Sequence, residues 1–555
     1  MHLRLVGLNC RYTHSCLALY YLRAVLEEKL SGEARVELME RTINDPYYET
    51  LLDIAASPVD VLFFSVYIWN EAYVKRLVRD LRQIMPDLPV VVGGPQPSYG
   101  GTEHFLKGVT VVRGEAEGLP AVFFEDLAGL KLQPLYEASG GADFPFPYRE
   151  HDFSATLRNR SVYYEASRGC PFSCTYCLSS IEPGVKVKEP QTVEQELDEL
   201  LAWQPKTVRF VDRTFNTSPE RTLRLWEFLA GKQGETVFHF EIAPDRFNGV
   251  MLRFLESVPV GRFRFEIGLQ STNPKTLAEV RRPTDMEKAR ENILTLMAID
   301  KVHLHLDLIL GLPFETEQSF RKSFNDVFAL LPHYFQMGLL KILPGTEMER
   351  RVADYGMHFC QSPPFELLCS RWMDYDTLSR LYFLGECIEA VCNNRFFRSF
   401  LRFLQRHCPD PFAVFSEILV LFQQPEMRRR AKTQELVSSI LFLHSRGKPD
   451  QRVMKELLRH DWLRSGHRFL PAHLEEDDDR NLQQEIRRRL PQNLEPYYSY
   501  RNRDEFIKRS MFLAPSAEVL SELGFPGKDD GCLCFLSEKE STVLALQKTV
   551  WLPFD

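Results

Sequence analysis

Residues 168–180 read RGCPFSCTYCLSS and place Cys170, Cys174 and Cys177 at a C-x3-C-x2-C spacing. Thiolates suit zinc or iron–sulfur clusters. A structural zinc site takes four ligands, often as two C-x2-C pairs, and no second pair lies near in this sequence. A cubane takes one cysteine per iron, so three cysteines leave one iron open. An open metal position implies that a cofactor or substrate binds there. The remaining cysteines are scattered along a chain that holds 12 in 555 residues, too few for a disulfide scaffold.

The elements that must position these thiols follow from hydrophobic patterning. A chain of 555 residues holds about three domains. Hydrophobic residues at 44% and charged residues at 26% exclude a disordered or collagen-like chain. No apolar run reaches the ~20 residues that cross a bilayer. The start, MHLRLVGLNC, reads as a strand rather than a signal peptide, so the expectation is a cytoplasmic protein without a membrane partner. A formal net charge of −8 gives no support to a nucleic-acid partner.

The first ~130 residues alternate strand and helix patterns. Strands are expected at 3–9, 35–41, 59–69, 88–94 and 109–115, with helices at 17–30 and 71–85. Nearly continuous apolar strands separated by helices indicate a doubly wound, flavodoxin-like domain of the Rossmann type, placed at 1–140. ADFPFPYRE at 142–150 is a stiff connector. Strands at 161–169, 208–212, 237–243, 262–271, 303–313 and 335–345 then make six β/α units at 155–355, a partial TIM-like barrel with one side open for another domain to cover. From 356 to 555 the pattern is mostly helical. The acidic run at 475–479 and the basic triplets at 428–430 and 487–489 read as solvated helix ends or loops.

The cysteine spacing, on the loop after the first barrel strand, resembles the radical S-adenosylmethionine (SAM) superfamily. The resemblance implies a [4Fe-4S] cluster held by the three cysteines and SAM chelated by the open iron. Tyr176 matches the aromatic before the third cysteine, whose backbone meets the adenine. VDRTFN places Asp212, Arg213 and Asn216 where relatives bind the methionyl ammonium, with Asp212 as the contact. Glu241 resembles a carboxylate near the methionyl group. Gln270 and Asp307 resemble the ribose-binding residues of the subgroup that includes oxygen-independent coproporphyrinogen oxidase and the methylthiotransferases. Ile309, Gly311 and Glu315 resemble the G-x-I-x-G-x-x-E pattern, and LPGTEM at 343–348 a turn that packs on adenine.

A flavodoxin-like domain ahead of such a barrel resembles the cobalamin-binding radical enzymes. The expected cobalamin contacts are Asn9, Tyr12 and His14 in NCRYTH, and Ser65, Tyr67, Trp69 and Asn70 in SVYIWN. Gly93, Gly94 and Pro95 in GGPQPS and Gly114 and Glu115 in RGEAE complete the set. The D-x-H-x-x-G string that ligates cobalt in many B12 domains is absent, so cobalt is expected without a protein ligand, His14 included. The whole chain resembles a subgroup with a C-terminal domain of unknown function. The resemblance implies radical methyl transfer to an unactivated carbon, with an external one-electron reductant of flavodoxin or ferredoxin type as partner. Two alternatives stay open: radical cyclisation or rearrangement with the same cofactors, and a metal-binding module with structural zinc.

Overall fold

The computed structural model describes the chain apart from residues 31, 101–105, 141–143, 423–432, 478 and 498–501. The basic triplet at 428–430, the start of the connector at 142–150 and one residue of the acidic run therefore lie outside the described residues.

Six parallel strands form the N-terminal sheet: β1 (His2–Asn9), β2 (Arg35–Thr42), β3 (Val61–Ser65), β4 (Val90–Gly93), β5 (Thr110–Arg113) and β6 (Leu135–Glu137). Their order is β2-β1-β3-β4-β5-β6, the flavodoxin order with one added edge strand. All of VLFFS in β3 is buried, because helices cover both faces. The expected strand at 59–69 stops at Ser65 because Asn70 folds the chain back. Its Oδ1 accepts from Tyr67 N at 2.8 Å, and its Nδ2 donates to the Leu8 and Ser65 carbonyls, each at 3.0 Å. β6 escaped the sequence reading because three residues at an edge, of which only Tyr136 is buried, are too few to carry a period.

The expected strand at 161–169 splits in two. β7 (Val162–Tyr164) enters the barrel, whereas β8 (Ser167–Cys170) leaves it and pairs antiparallel with β9 (Gly184–Val187). Gly169, at φ +95°, permits this: a Cβ there would stand 2.1 Å from the Gly184 carbonyl oxygen. The hairpin brackets the cysteine loop. The barrel continues with β10 (Thr207–Phe210), β11 (Val237–Glu241), β12 (Phe263–Gln270), β13 (His303–Leu310) and β14 (Tyr334–Leu339). Its six strands are parallel, in the order β14-β13-β12-β11-β10-β7. Alternation decides which residues face inward. Along β13, Leu304, Leu306, Leu308 and Leu310 are fully buried toward the helices, which leaves His305 and Asp307 on the inner face.

In the C-terminal region the helix Tyr375–Val391 lies along the edge strand β14. Just beyond it, the Asn393 side chain accepts from Phe335 N at 2.8 Å and donates to Phe335 O at 2.9 Å, occupying the backbone of the exposed edge. The expectation of a mostly helical region needs two corrections. His358–Phe359 pairs antiparallel with Leu367–Cys369. Met511–Leu513, Gly531–Lys539 and Gln547–Pro553 form an antiparallel sheet. Its central strand is buried on both faces, Cys532 and Cys534 toward one cluster and Leu533 and Phe535 toward another, so no polar alternation marked it.

Candidate active site

The C-terminal ends of both parallel sheets face each other across a cavity of about 940 Å³. That is near the upper end for a small-molecule site. On the N-terminal side Asn9, His14, Ser65, Tyr67 and Trp69 border it, together with Gly93, Gly94, Pro95, Gly114 and Glu115. Tyr67 and Trp69 stack with centroids 4.3 Å apart and planes 8° from parallel; Trp69 is 42% exposed while Tyr67 packs against the sheet's core, so the pair is a flat wall backed by core. Gly94, at φ +107°, has no room for a side chain: a Cβ would lie 2.7 Å from the Val66 carbonyl oxygen. Two expected residues stand elsewhere. Asn70 is buried with its amide spent on the backbone, and Tyr12 is exposed with its ring centroid 4.8 Å from the Arg160 guanidinium.

Buried polar contacts join the two sheets. Glu40 accepts from Asn9 Nδ2 at 2.6 Å, Cys16 N at 3.0 Å and Tyr20 OH at 2.7 Å, and pairs with Arg160 at 3.4 Å. Arg23 meets both oxygens of Asp152 at 2.6 Å. His14 Nδ1 is hydrogen-bonded to the Tyr163 hydroxyl of β7. Burial first, then the charges of Arg209 and Arg11, lower its pKa. Arg168, two residues before Cys170, stands 2.7 Å from Glu115, 3.1 Å from Glu117 and 2.7 Å from Glu165. One guanidinium thus links the β5 loop to the cysteine loop.

The cysteine loop is anchored at both ends. Thr175 N donates to the Val280 carbonyl at 3.1 Å, and Met348 N of LPGTEM donates to the Thr175 carbonyl at 2.9 Å. Cys174 is buried, which raises its thiol, while Arg282, 3.7 Å from the sulfur, favours the thiolate. Cys170 lies 3.7 Å from Thr214 Oγ1. Among the described residues no three His, Cys, Asp or Glu side chains converge on one point as a single ion demands. Tyr176 is half-buried against the barrel core, and burial raises its hydroxyl.

On the inner face of the barrel, Gln270 stands at φ +70° beside a bulge, with its buried Oε1 unpartnered among the described residues. A strained backbone with an orphaned polar atom marks a place built for a ligand. Asp307 Oδ1 lies 2.8 Å from His305 Nε2; burial raises the carboxyl and His305 opposes it. Glu241 borders the cavity 3.6 Å from Arg213, and burial, opposed by Arg213, brings its pKa to about 7.

Three expectations are corrected. Asp212 is fully buried, and its oxygens accept from Ala166 N at 3.0 Å and Ser167 Oγ at 2.5 Å. Burial raises it to about 6. It fixes the chain entering the cysteine loop and does not border the cavity. Asn216 likewise bonds both ways to the Ala243 backbone. Gly311 backs onto Leu367 of the C-terminal region. Conversely, Tyr163, Arg209 and His239 border the cavity unannounced. Strand alternation could have found His239, two residues before Glu241 and hence on its face.

Known proteins resemble this chain in all three regions. The family described as the B12 binding domain matches residues 3–123, the radical SAM superfamily matches 164–327, and a protein family of unknown function, DUF4080, matches 353–513. The cobalamin-dependent radical SAM methyltransferase TokK of Streptomyces tokunonensis is 24% identical over 397 residues, 63% of this chain and 57% of TokK. Bacteriochlorophyllide d C-12(1)-methyltransferase of Chlorobaculum tepidum is 24% identical over 315 residues, 53% of this chain and 64% of that protein. The chain thus spans little more than half the length of these relatives. Among solved structures, the cobalamin-dependent SAM radical enzyme OxsB with aqua-cobalamin and SAM bound superposes with a TM-score of 0.57 at 14% identity, covering 83% of this chain and 78% of OxsB. The three matched regions follow one another along a chain whose first two sheets share one cavity: it is a B12-binding-domain-containing radical SAM protein with a C-terminal domain of unknown function.

Proposed function

We propose that this chain is a cobalamin-dependent radical SAM enzyme that methylates an unactivated carbon of its substrate. The observation that carries the reading is the shared cavity, where the strand-end loops of a B12-binding domain meet the mouth of a radical SAM barrel. When bound, a [4Fe-4S] cluster with SAM supplies a 5′-deoxyadenosyl radical able to take hydrogen from an inert C–H bond, and methylcobalamin supplies the methyl group. Cys170, Cys174 and Cys177 hold three irons, and Arg282 favours the thiolate of Cys174. Gln270 and Asp307 take the ribose of SAM, and Glu241 faces its methionyl end. Tyr67 and Trp69 offer a flat wall to the corrin, and the backbone of 93–95 approaches it closely. Cobalt without a protein ligand rests on the absent D-x-H-x-x-G string, because a hydrogen bond at His14 Nδ1 does not engage its Nε2. A flavodoxin- or ferredoxin-type protein delivers the electron. The methyltransferase names of TokK and the bacteriochlorophyllide enzyme support methyl transfer.

The test is anaerobic purification with iron and cobalt analysis, followed by turnover with methyl-labelled SAM. Iron, cobalt and label in the product support the reading. Deoxyadenosine without label transfer turns it toward cyclisation or rearrangement. Zinc in place of iron sinks it.

A further inference from the structure

The inner face of a closed β/α barrel is packed with branched apolar side chains. Here it is not. Strand register sets Tyr163, Arg209, His239, Arg264 and His303 side by side across five strands, and residues in register share a face. The phenylalanines beside them, Phe210, Phe238, Phe240, Phe263 and Phe265, are buried toward the helices, so this row faces inward. The row is short of negative charge. Its neighbour Glu266 is taken by His239 at 2.9 Å and Arg209 at 3.6 Å. Arg264 is exposed and, among the described residues, has neither a hydrogen bond nor a carboxylate within 4 Å.

A further cation comes from the C-terminal region. Arg395 Nη2 donates to His303 Nε2 at 3.1 Å and has no carboxylate partner among the described residues. Burial and the cations around it, Arg395 and Arg264 among them, hold His303 at about 2, so it accepts this bond as a neutral ring. Arg395 itself stands at φ +68°, a left-handed backbone that a residue with a Cβ avoids. Neighbours hold it there: Asn393 clasps Phe335, and Asn394 bonds Phe396 N at 3.1 Å and the Ala390 carbonyl. The fold thus holds a left-handed backbone to bring one more arginine beside others, an arrangement that an anion would favour.

We infer that Arg264 and Arg395, with Arg209 beside them, bind an anion that carries a carboxylate or a phosphoryl group. Arginine's planar fork matches either group. The C-terminal region contributes Arg395 to this site and so takes part in choosing the anion.

The experiment is calorimetric titration of the full chain at low ionic strength with two probes, inorganic phosphate and succinate, for the wild type, Arg264→Gln and Arg395→Gln. Saturable binding of one probe, weakened about tenfold or more by each substitution, is expected, and the tighter probe identifies the group. Circular dichroism and melting of each variant establish that it is folded. If Arg395→Gln fails to fold, Arg264→Gln alone decides. Absence of saturable binding, or equal binding by a folded variant, overturns the inference. Anion binding by a wild-type chain that does not cleave SAM leaves this site standing and sinks the proposed function instead.

Discussion

The barrel is docked on two sides, and the two seams are built differently. The C-terminal helices share its core: Leu378, Leu381, Leu384, Phe412, Leu441 and Leu457 belong to the same buried cluster as Phe320 and Leu308. The N-terminal sheet keeps two apolar clusters of its own, one on each face, and of its buried residues Tyr20 joins the barrel's. Its seam relies on ion pairs and hydrogen bonds, through Glu40, Arg160, Arg23 and Asp152, and through Arg168 at the cavity. Apolar packing without voids suits a wall that stays in place. Polar contacts that water can replace suit a seam that must admit a large ligand. The C-terminal helices are therefore part of the barrel's structure, whereas the N-terminal domain is a separate body latched onto it.

The largest effect is expected between the seams. Cys174→Ala should remove the cluster and abolish deoxyadenosine formation, yet leave bound cobalt unchanged. Full cleavage would remove the cysteine assignment, and loss of cobalt would show that the N-terminal body is not independent. At the apolar seam, Leu384→Ala should cost about 2–5 kcal/mol, because Leu384 is 1% exposed. Calorimetry should show the barrel and the C-terminal helices shifting together; an unmoved barrel transition would contradict a shared core.

At the polar seam, Arg168→Gln leaves Glu115, Glu117 and Glu165 uncompensated. Unpairing a buried charge costs about 3 kcal/mol or more. The variant should retain cobalamin at least tenfold less tightly while the barrel's melting temperature holds. Normal cobalamin binding would remove the latch. On the barrel's inner face, Asp307→Asn should weaken SAM binding about tenfold, since a charge-assisted bond contributes roughly 1.5–3 kcal/mol. Iron should be unaffected; its loss would make Asp307 structural, tied to His305.

The smallest effect concerns pH. Glu241, raised by burial from 4.5 to about 7, binds its proton more tightly folded than unfolded. Stability from this group is therefore fully present below pH 4.5 and is lost as the pH rises toward 7. Glu241→Gln should flatten that limb of the pH–stability curve. An unchanged curve would show that Glu241 keeps its ordinary pKa.

Short-range chemistry was legible in the sequence alone. The cysteine spacing, the apolar runs of the flavodoxin-like sheet, the six barrel strands and the strand-end loops around the cavity are all local patterns, set by backbone geometry and period-two alternation. Tertiary structure decided what each polar residue does with its atoms. Asp212, Asn70 and Asn216 have types and positions suited to ligand contacts, but burial obliges them to satisfy nearby backbone instead. Arg168 and Arg395 gained their places only through folding. Glu115 and Glu117 stand 53 and 51 residues from Arg168, and His303 stands 92 from Arg395, and no local pattern encodes an encounter across domains.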